Sequence, residues 1–197
     1  GAGFIRLFAL ADEQQATFSP EVLRQVRANL RLIDDSLRVN PTASRIFLRL
    51  LTEARDPEGG LRSMNEAGVL GHFIPEFGRV ISMMQFNMYH HFTVDEHLIR
   101  TIGFLSDIER GKYALEHPVS TEIIRTIDNR RALFVAVLLH DIAKGRDEDH
   151  SQAGARIARE LGPRLGLTPS ETETATWLVE HHLVMSTFAQ SRDLNDP

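Results

Sequence analysis

Two adjacent residues able to hold a metal or move a proton, His140 and Asp141, close an apolar run that reads Ala-Leu-Phe-Val-Ala-Val-Leu-Leu over 132–139. A run of this kind is buried all round. The imidazole and the carboxylate therefore stand at the edge of a core, where each needs a partner. A divalent ion satisfies both at once. The chain has no cysteine, so thiolate sites and disulfides are excluded and any ion must be held by His and carboxylate. Groups of that type recur in order: His97, His140-Asp141, His150 and His181-His182. A lone His-Asp pair is more often a hydrogen-bonded structural pair, and a lone His-His pair more often a partly exposed helix end. Asp147-Glu148-Asp149 reads as a solvated loop and helix start, where negative charge is favoured. His72, His90, His91 and His117 read as structural, loop or turn histidines. The conjunction of the other groups, each near a helix end, carries the metal reading.

Helices must position them, because the apolar spacing is helical almost throughout and no alternating strand pattern appears. Ser19-Pro20 opens a helix through about residue 39, with Val22, Leu23, Val26, Leu30, Ile33 and Leu37 on its apolar side. Asn40-Pro41 and Asp56-Pro57 start two more, the second ending near Gly68. Residues 71–78 form a compact turn region around Pro75. Thr93 and Glu96 make a capping box for a helix carrying His97. Asp128 or Asn129 caps the buried helix that ends at His140. A helix from about Asp149 to Leu161 is bent or ended by Gly162-Pro163, and a second capping box, Thr168 with Glu171, opens a helix through about Leu183. The expected fold is all-α, with a helical lead segment over 1–75 and a helical metal-site domain over 76–197. Adjacent helical residues diverge by about 100°, so His140 and Asp141 reach one centre only from a helix end. There Asp141 can bridge two ions, the arrangement of a two-metal hydrolytic site.

The formal net charge of −5 argues against a broad basic surface for nucleic acid. No apolar run approaches a membrane span and no signal peptide opens the chain, so a cytoplasmic location is expected. The start at Gly1 and the stop at Asp196-Pro197 read as the ends of a piece of a longer polypeptide, whose metal-site domain is truncated at its C-terminus.

The order H…HD…H…HH resembles the HD superfamily of metal-dependent phosphohydrolases, most specifically over Leu138-Leu139-His140-Asp141-Ile142-Ala143-Lys144-Gly145. A closer likeness is to the bifunctional PII uridylyltransferase/uridylyl-removing enzymes. It is carried by Met64–Gly71, Ile74–Phe77, Met84–His97, His181–Ser186 and Arg192–Pro197. The resemblance implies an HD-type helical phosphohydrolase domain that removes UMP from the uridylylated tyrosine of the PII nitrogen-signalling protein. Mn²⁺ or Mg²⁺, as one or two ions, would support the reaction. It implies a parent polypeptide with a nucleotidyltransferase domain before this chain and ACT domains after it. On this resemblance His97, His140 and Asp141 match HD ligands, and His150 and His181 or His182 match the extra histidines of two-metal members. Lys144 matches a lysine that would neutralise a phosphate oxygen. The superfamily's last Asp ligand has Asp193 as its candidate here and Asp196 as a weaker one; otherwise it lies beyond the chain. The rival readings are an HD phosphohydrolase acting on a free or signalling nucleotide, and a non-catalytic helical regulatory module.

Overall fold

The computed structural model describes residues 2–84 and 92–191. His90, His91, Asp193 and Asp196 lie outside the described residues. Within them the protein is helical with no strand, as the 3.6-residue period predicts. Residues 2–84 hold α1 (Gly3–Glu13), α2 (Pro20–Ala28), α3 (Asp35–Arg38), α4 (Pro41–Glu53), α5 (Pro57–Glu66), α6 (Val69–Phe73) and α7 (Pro75–Gly78). The rest holds α8 (Val94–Glu109), α9 (Pro118–Ile123), α10 (Arg130–Leu139), α11 (His150–Leu165), α12 (Pro169–Glu180) and α13 (Val184–Ser191).

Start signals in the sequence account for several of these boundaries. Asn40 Oδ1 accepts from the Thr42 and Ala43 amides, and Asp56 Oδ1 accepts from Gly59 N. Thr168 and Glu171 form the full capping box. Such caps satisfy amides that the helix itself leaves unpaired.

Several expectations are corrected. The helix expected from Ser19 to residue 39 is broken into α2, a 3-10 turn over Leu30–Leu32 and α3. The break has a local cause: Asp34 accepts from Leu37 N and from the Ser36 hydroxyl, restarting the helix there. The 71–78 turn region is two short helices, α6 and α7. Helix α1, ahead of Ser19, was not anticipated; Ile5 and Phe8 bury its inner side. Thr93 starts α8 with no side-chain cap, and Glu96 reaches across to Arg62 at 2.5 Å, so the box is not formed. Asn129 stands at the start of α10 but donates to Thr174 Oγ1 rather than capping. Helix α11 continues through Gly162-Pro163 and ends at Gly166, whose φ of +97° closes it. Gly162 is there for closeness: a Cβ would lie 2.8 Å from Thr172 on α12. Helix α12 ends at Glu180 rather than near Leu183.

One apolar core runs through the lead segment and the later helices, and includes Phe47, Leu51, Phe73, Phe134, Leu138 and Val179. Helix α4 packs on both α10 and α11, and α5 packs on α8. The lead helices thus back the elements that carry the His and Asp side chains. No helix among the described residues is long and apolar enough to cross a membrane.

Candidate metal centre

Beyond Arg130 and Arg131 helix α10 is wholly apolar and mostly buried, and it stops at His140. The chain then turns tightly, with Ile142 N bonded to Leu139 O and Lys144 N to Asp141 O. This turn lets consecutive side chains, which would diverge on a helix, face the same space. Asp141 is 3% exposed. Its Oδ2 lies 3.4 Å from His140 Nε2 and 3.6 Å from His97 Nε2. Its Oδ1 lies 3.6 Å from both His150 Nε2 and His182 Nε2. Each carboxylate oxygen therefore faces its own pair of imidazoles. His97 comes from the first turns of α8, His150 opens α11, and His182 follows the end of α12. Two groups result, His97-His140-Asp141 and Asp141-His150-His182, with ligand atoms in each within 4.8 Å of one another.

The tautomers follow from the hydrogen bonds. His140 Nδ1 lies 2.7 Å from Val137 O, and His182 Nδ1 lies 2.7 Å from Val179 O. A carbonyl only accepts, so each Nδ1 carries the proton and, in the neutral ring, Nε2 presents a lone pair toward Asp141. The Nε2 atoms of His150 and His182 are buried and have no hydrogen-bond partner. His97 Nε2 and His140 Nε2 converge at 3.1 Å. Buried lone pairs converging on a carboxylate are costly without a cation. Two ligands at right angles on an ion at about 2.1 Å would stand about 3 Å apart. The donor set and its spacing therefore fit a divalent ion on either side of the carboxylate.

The electrostatics describe a site that draws positive charge to Asp141. Without an ion, burial pushes the Asp141 carboxyl up, but N–H groups of the His140 and His182 rings and the Lys144 ammonium outweigh it and hold it well below the usual carboxylate range; a bound cation would take over the part of the ring protons. Lys144 Nζ sits 2.7 Å from Asp141 Oδ2, and an ionised oxygen has lone pairs for both an ammonium and an ion. Burial lowers the His150 pKa and so favours the neutral, ligating form. For His182 burial also acts downward, yet the contact with Asp141 prevails and raises it.

Of the residues singled out in the sequence, His97, His140, Asp141, Lys144, His150 and His182 come together. His181 does not: its Nδ1 donates to Trp177 O and its ring stacks on the Trp177 indole at 4.7 Å. Trp177, one helical turn before His181, was the signal that could have separated the two neighbours. His72 bonds back to Gly68 O and His117 joins an aromatic group with Phe104 and Tyr113, both away from the cluster. Sequence reasoning gave Asp95 no role beyond its place between Thr93 and Glu96 and in the Met84–His97 stretch. Asp95 is 6% exposed and lies two residues before His97.

This all-α scaffold with a shared His/Asp cluster at its helix ends is that of a known hydrolase superfamily. The chain belongs to the HD domain family, which its residues 94–194 match. Residues 2–73 match the third domain of the uridylyltransferase GlnD. Together the two matches support an HD domain of the GlnD uridylyltransferase/uridylyl-removing enzyme. HD domains bind divalent metals, and the His/Asp cluster described above could hold one.

Proposed function

We propose that this chain is the uridylyl-removing unit, hydrolysing the phosphodiester between UMP and a tyrosine of the PII protein. The observation that carries the reading is the Asp141 carboxylate with a pair of imidazole nitrogens at each oxygen. His97, His140 and Asp141 would hold one ion, and Asp141, His150 and His182 a second, with Mn²⁺ or Mg²⁺ as the metal. When bound, such ions supply an activated water and neutralise phosphoryl oxygens. The protein's own part is positioning and charge. Val137 and Val179 carbonyls fix the His140 and His182 rings with Nε2 inward. Lys144 is a flexible point charge, poised on Asp141 and able to follow a phosphate oxygen over a short arc. The leaving group is a tyrosine phenolate, whose conjugate acid has a pKa of about 10, so little general-acid help is needed. A parent polypeptide with nucleotidyltransferase and ACT domains, and a cytoplasmic location, belong to the same reading. So does the division into a lead segment over 1–75 and an HD domain over 76–197.

The test is release of UMP from uridylylated PII by the purified chain with Mn²⁺, beside Asp141→Ala. Metal-dependent release by the wild type and none by the variant is expected. Release by Asp141→Ala at the wild-type rate would refute the proposal. Turnover of free nucleotides with no release from uridylylated PII would point to the nucleotide-hydrolase alternative.

A further inference from the structure

Asp95 belongs to none of the ligand groups, yet it is a nearly fully buried carboxylate two residues before His97. Its partners come from two directions. Oδ2 accepts from Asn65 Nδ2 on α5 at 2.8 Å, and Oδ1 accepts from Ser82 N at 3.0 Å. Ser82 has a φ of +58°, a conformation that is strained for a non-glycine residue and persists only when its surroundings enforce it. The next residue is tied to the same helix start: Val94 N donates to Met83 O at 2.9 Å. The Met83 thioether then rests on Gly145, where a Cβ would lie 2.8 Å from its methyl and 2.9 Å from its sulfur. Gly145 follows Lys144 directly and has a φ of +81°. A continuous chain of contacts thus joins the lead helix α5, the first turn of α8 that bears His97, and the turn that bears Asp141 and Lys144.

We infer that Asp95 is a positioning residue, holding Asn65 with one oxygen and the 82–83 segment with the other, so that the lead segment sets the placement of His97 and of the Lys144-Gly145 turn. A purely electrostatic effect of its charge on the cluster makes a different prediction. Asp95→Asn removes the charge but keeps the shape. Asn65 Oδ1 is buried without a partner, so a flipped Asn65 amide can accept from the introduced amide group while the remaining oxygen still accepts from Ser82. Positioning is then preserved. Asp95→Ala removes both anchors.

The inference rests on the metal-site reading, and two measurements keep the failures of the two apart. The first is Mn²⁺ affinity by calorimetry for wild type, Asp95→Ala, Asp95→Asn and Asn65→Ala. The second is the ¹⁵N imidazole NMR spectrum of the same proteins without metal, which reports the His97 and His140 environments directly. Loss of an outer partner of a metal ligand typically weakens binding by about 10–100-fold. That loss is expected in Asp95→Ala, with shifted His97 signals, near-complete rescue in Asp95→Asn and a smaller loss in Asn65→Ala. Equal losses in Asp95→Ala and Asp95→Asn would overturn the inference, since charge would then be the agent. Wild-type affinity and wild-type His97 signals in both Asp95→Ala and Asn65→Ala would overturn it too. If Asp95→Ala does not fold, unchanged signals in Asn65→Ala and Met83→Ala are enough to overturn it. Absence of Mn²⁺ binding by the wild type refutes the metal-site reading alone, and the metal-free spectra still decide the role of Asp95.

Discussion

At the scale of single residues, neighbours in sequence diverge in role. His181 and His182 are adjacent, but only His182 faces Asp141; His181 is drawn off by Trp177. His182→Ala should therefore weaken Mn²⁺ binding by at least about tenfold, whereas His181→Ala should leave it within about twofold of wild type, read by calorimetry. The reverse order would mean the ring assignments are wrong. The cluster itself was legible from residue types: a chain without cysteine, with His and Asp at successive helix ends, has few other ways to satisfy them. The choice between His181 and His182 was not legible, because it depends on where α12 ends, and helix ends depend on tertiary contacts. Asp95 was hidden for a related reason. A carboxylate in the first turn of a helix is ordinarily a solvated, dipole-compatible residue, and only the packing of α5 and of Ser82 against it reveals a buried anchor.

At the scale of elements, α11 and α12 form the pairing that brings His150 and His182 to the same carboxylate. It depends on small residues at the contact. In Gly162→Ala the new Cβ would meet the buried Thr172, whose short side chain has little room to move. The expected cost is about 1–3 kcal/mol, read as a lower midpoint in thermal or urea unfolding. Helices α10 and α12 are further joined by Arg131 and Glu171, whose carboxylate accepts at 2.8 Å and 2.5 Å. The Arg131 hydrogen bond is the main reason the Glu171 pKa is lowered to about 2. A carboxylate depressed in the folded state stabilises above its unfolded pKa, about 4.3, and that contribution fades as pH falls toward 2. Because the Arg131 side chain is 41% exposed, solvent screening keeps the contribution to on the order of 1 kcal/mol. Glu171→Gln should accordingly flatten the loss of stability between about pH 5 and pH 2, with the wild type steeper over that window. Start signals such as Asn40-Pro41 and the Thr168 box were readable because they are local. The passage of α11 through Pro163 was not, since the helix is closed only at Gly166, whose positive φ ends it.

At the scale of the whole molecule, the matches to two families fall on successive parts of the chain, yet the apolar core is shared between them. Phe47 on α4 is fully buried in that core, as are Phe134 and Leu138 on α10. Phe47→Ala should cost about 3–5 kcal/mol, although Phe47 is far from the cluster in sequence. A chain cut to residues 76–197 should lose the near-ultraviolet circular dichroism of a fixed core and bind a hydrophobic dye. A native-like spectrum from that piece would show that the lead segment is dispensable for packing. Sequence periodicity announced helices in both parts, but the sharing of one core is a matter of which helix faces meet. Periodicity identifies an apolar face without naming its partner.

The central claim is that one buried carboxylate, Asp141, bridges two pairs of imidazoles as a metal centre. Anomalous scattering from a Mn²⁺-soaked crystal tests it most directly. The account predicts density within coordination distance of Asp141, on the side of His97 and His140, on the side of His150 and His182, or on both. Anomalous density that avoids Asp141, or that is centred on His181, would contradict it.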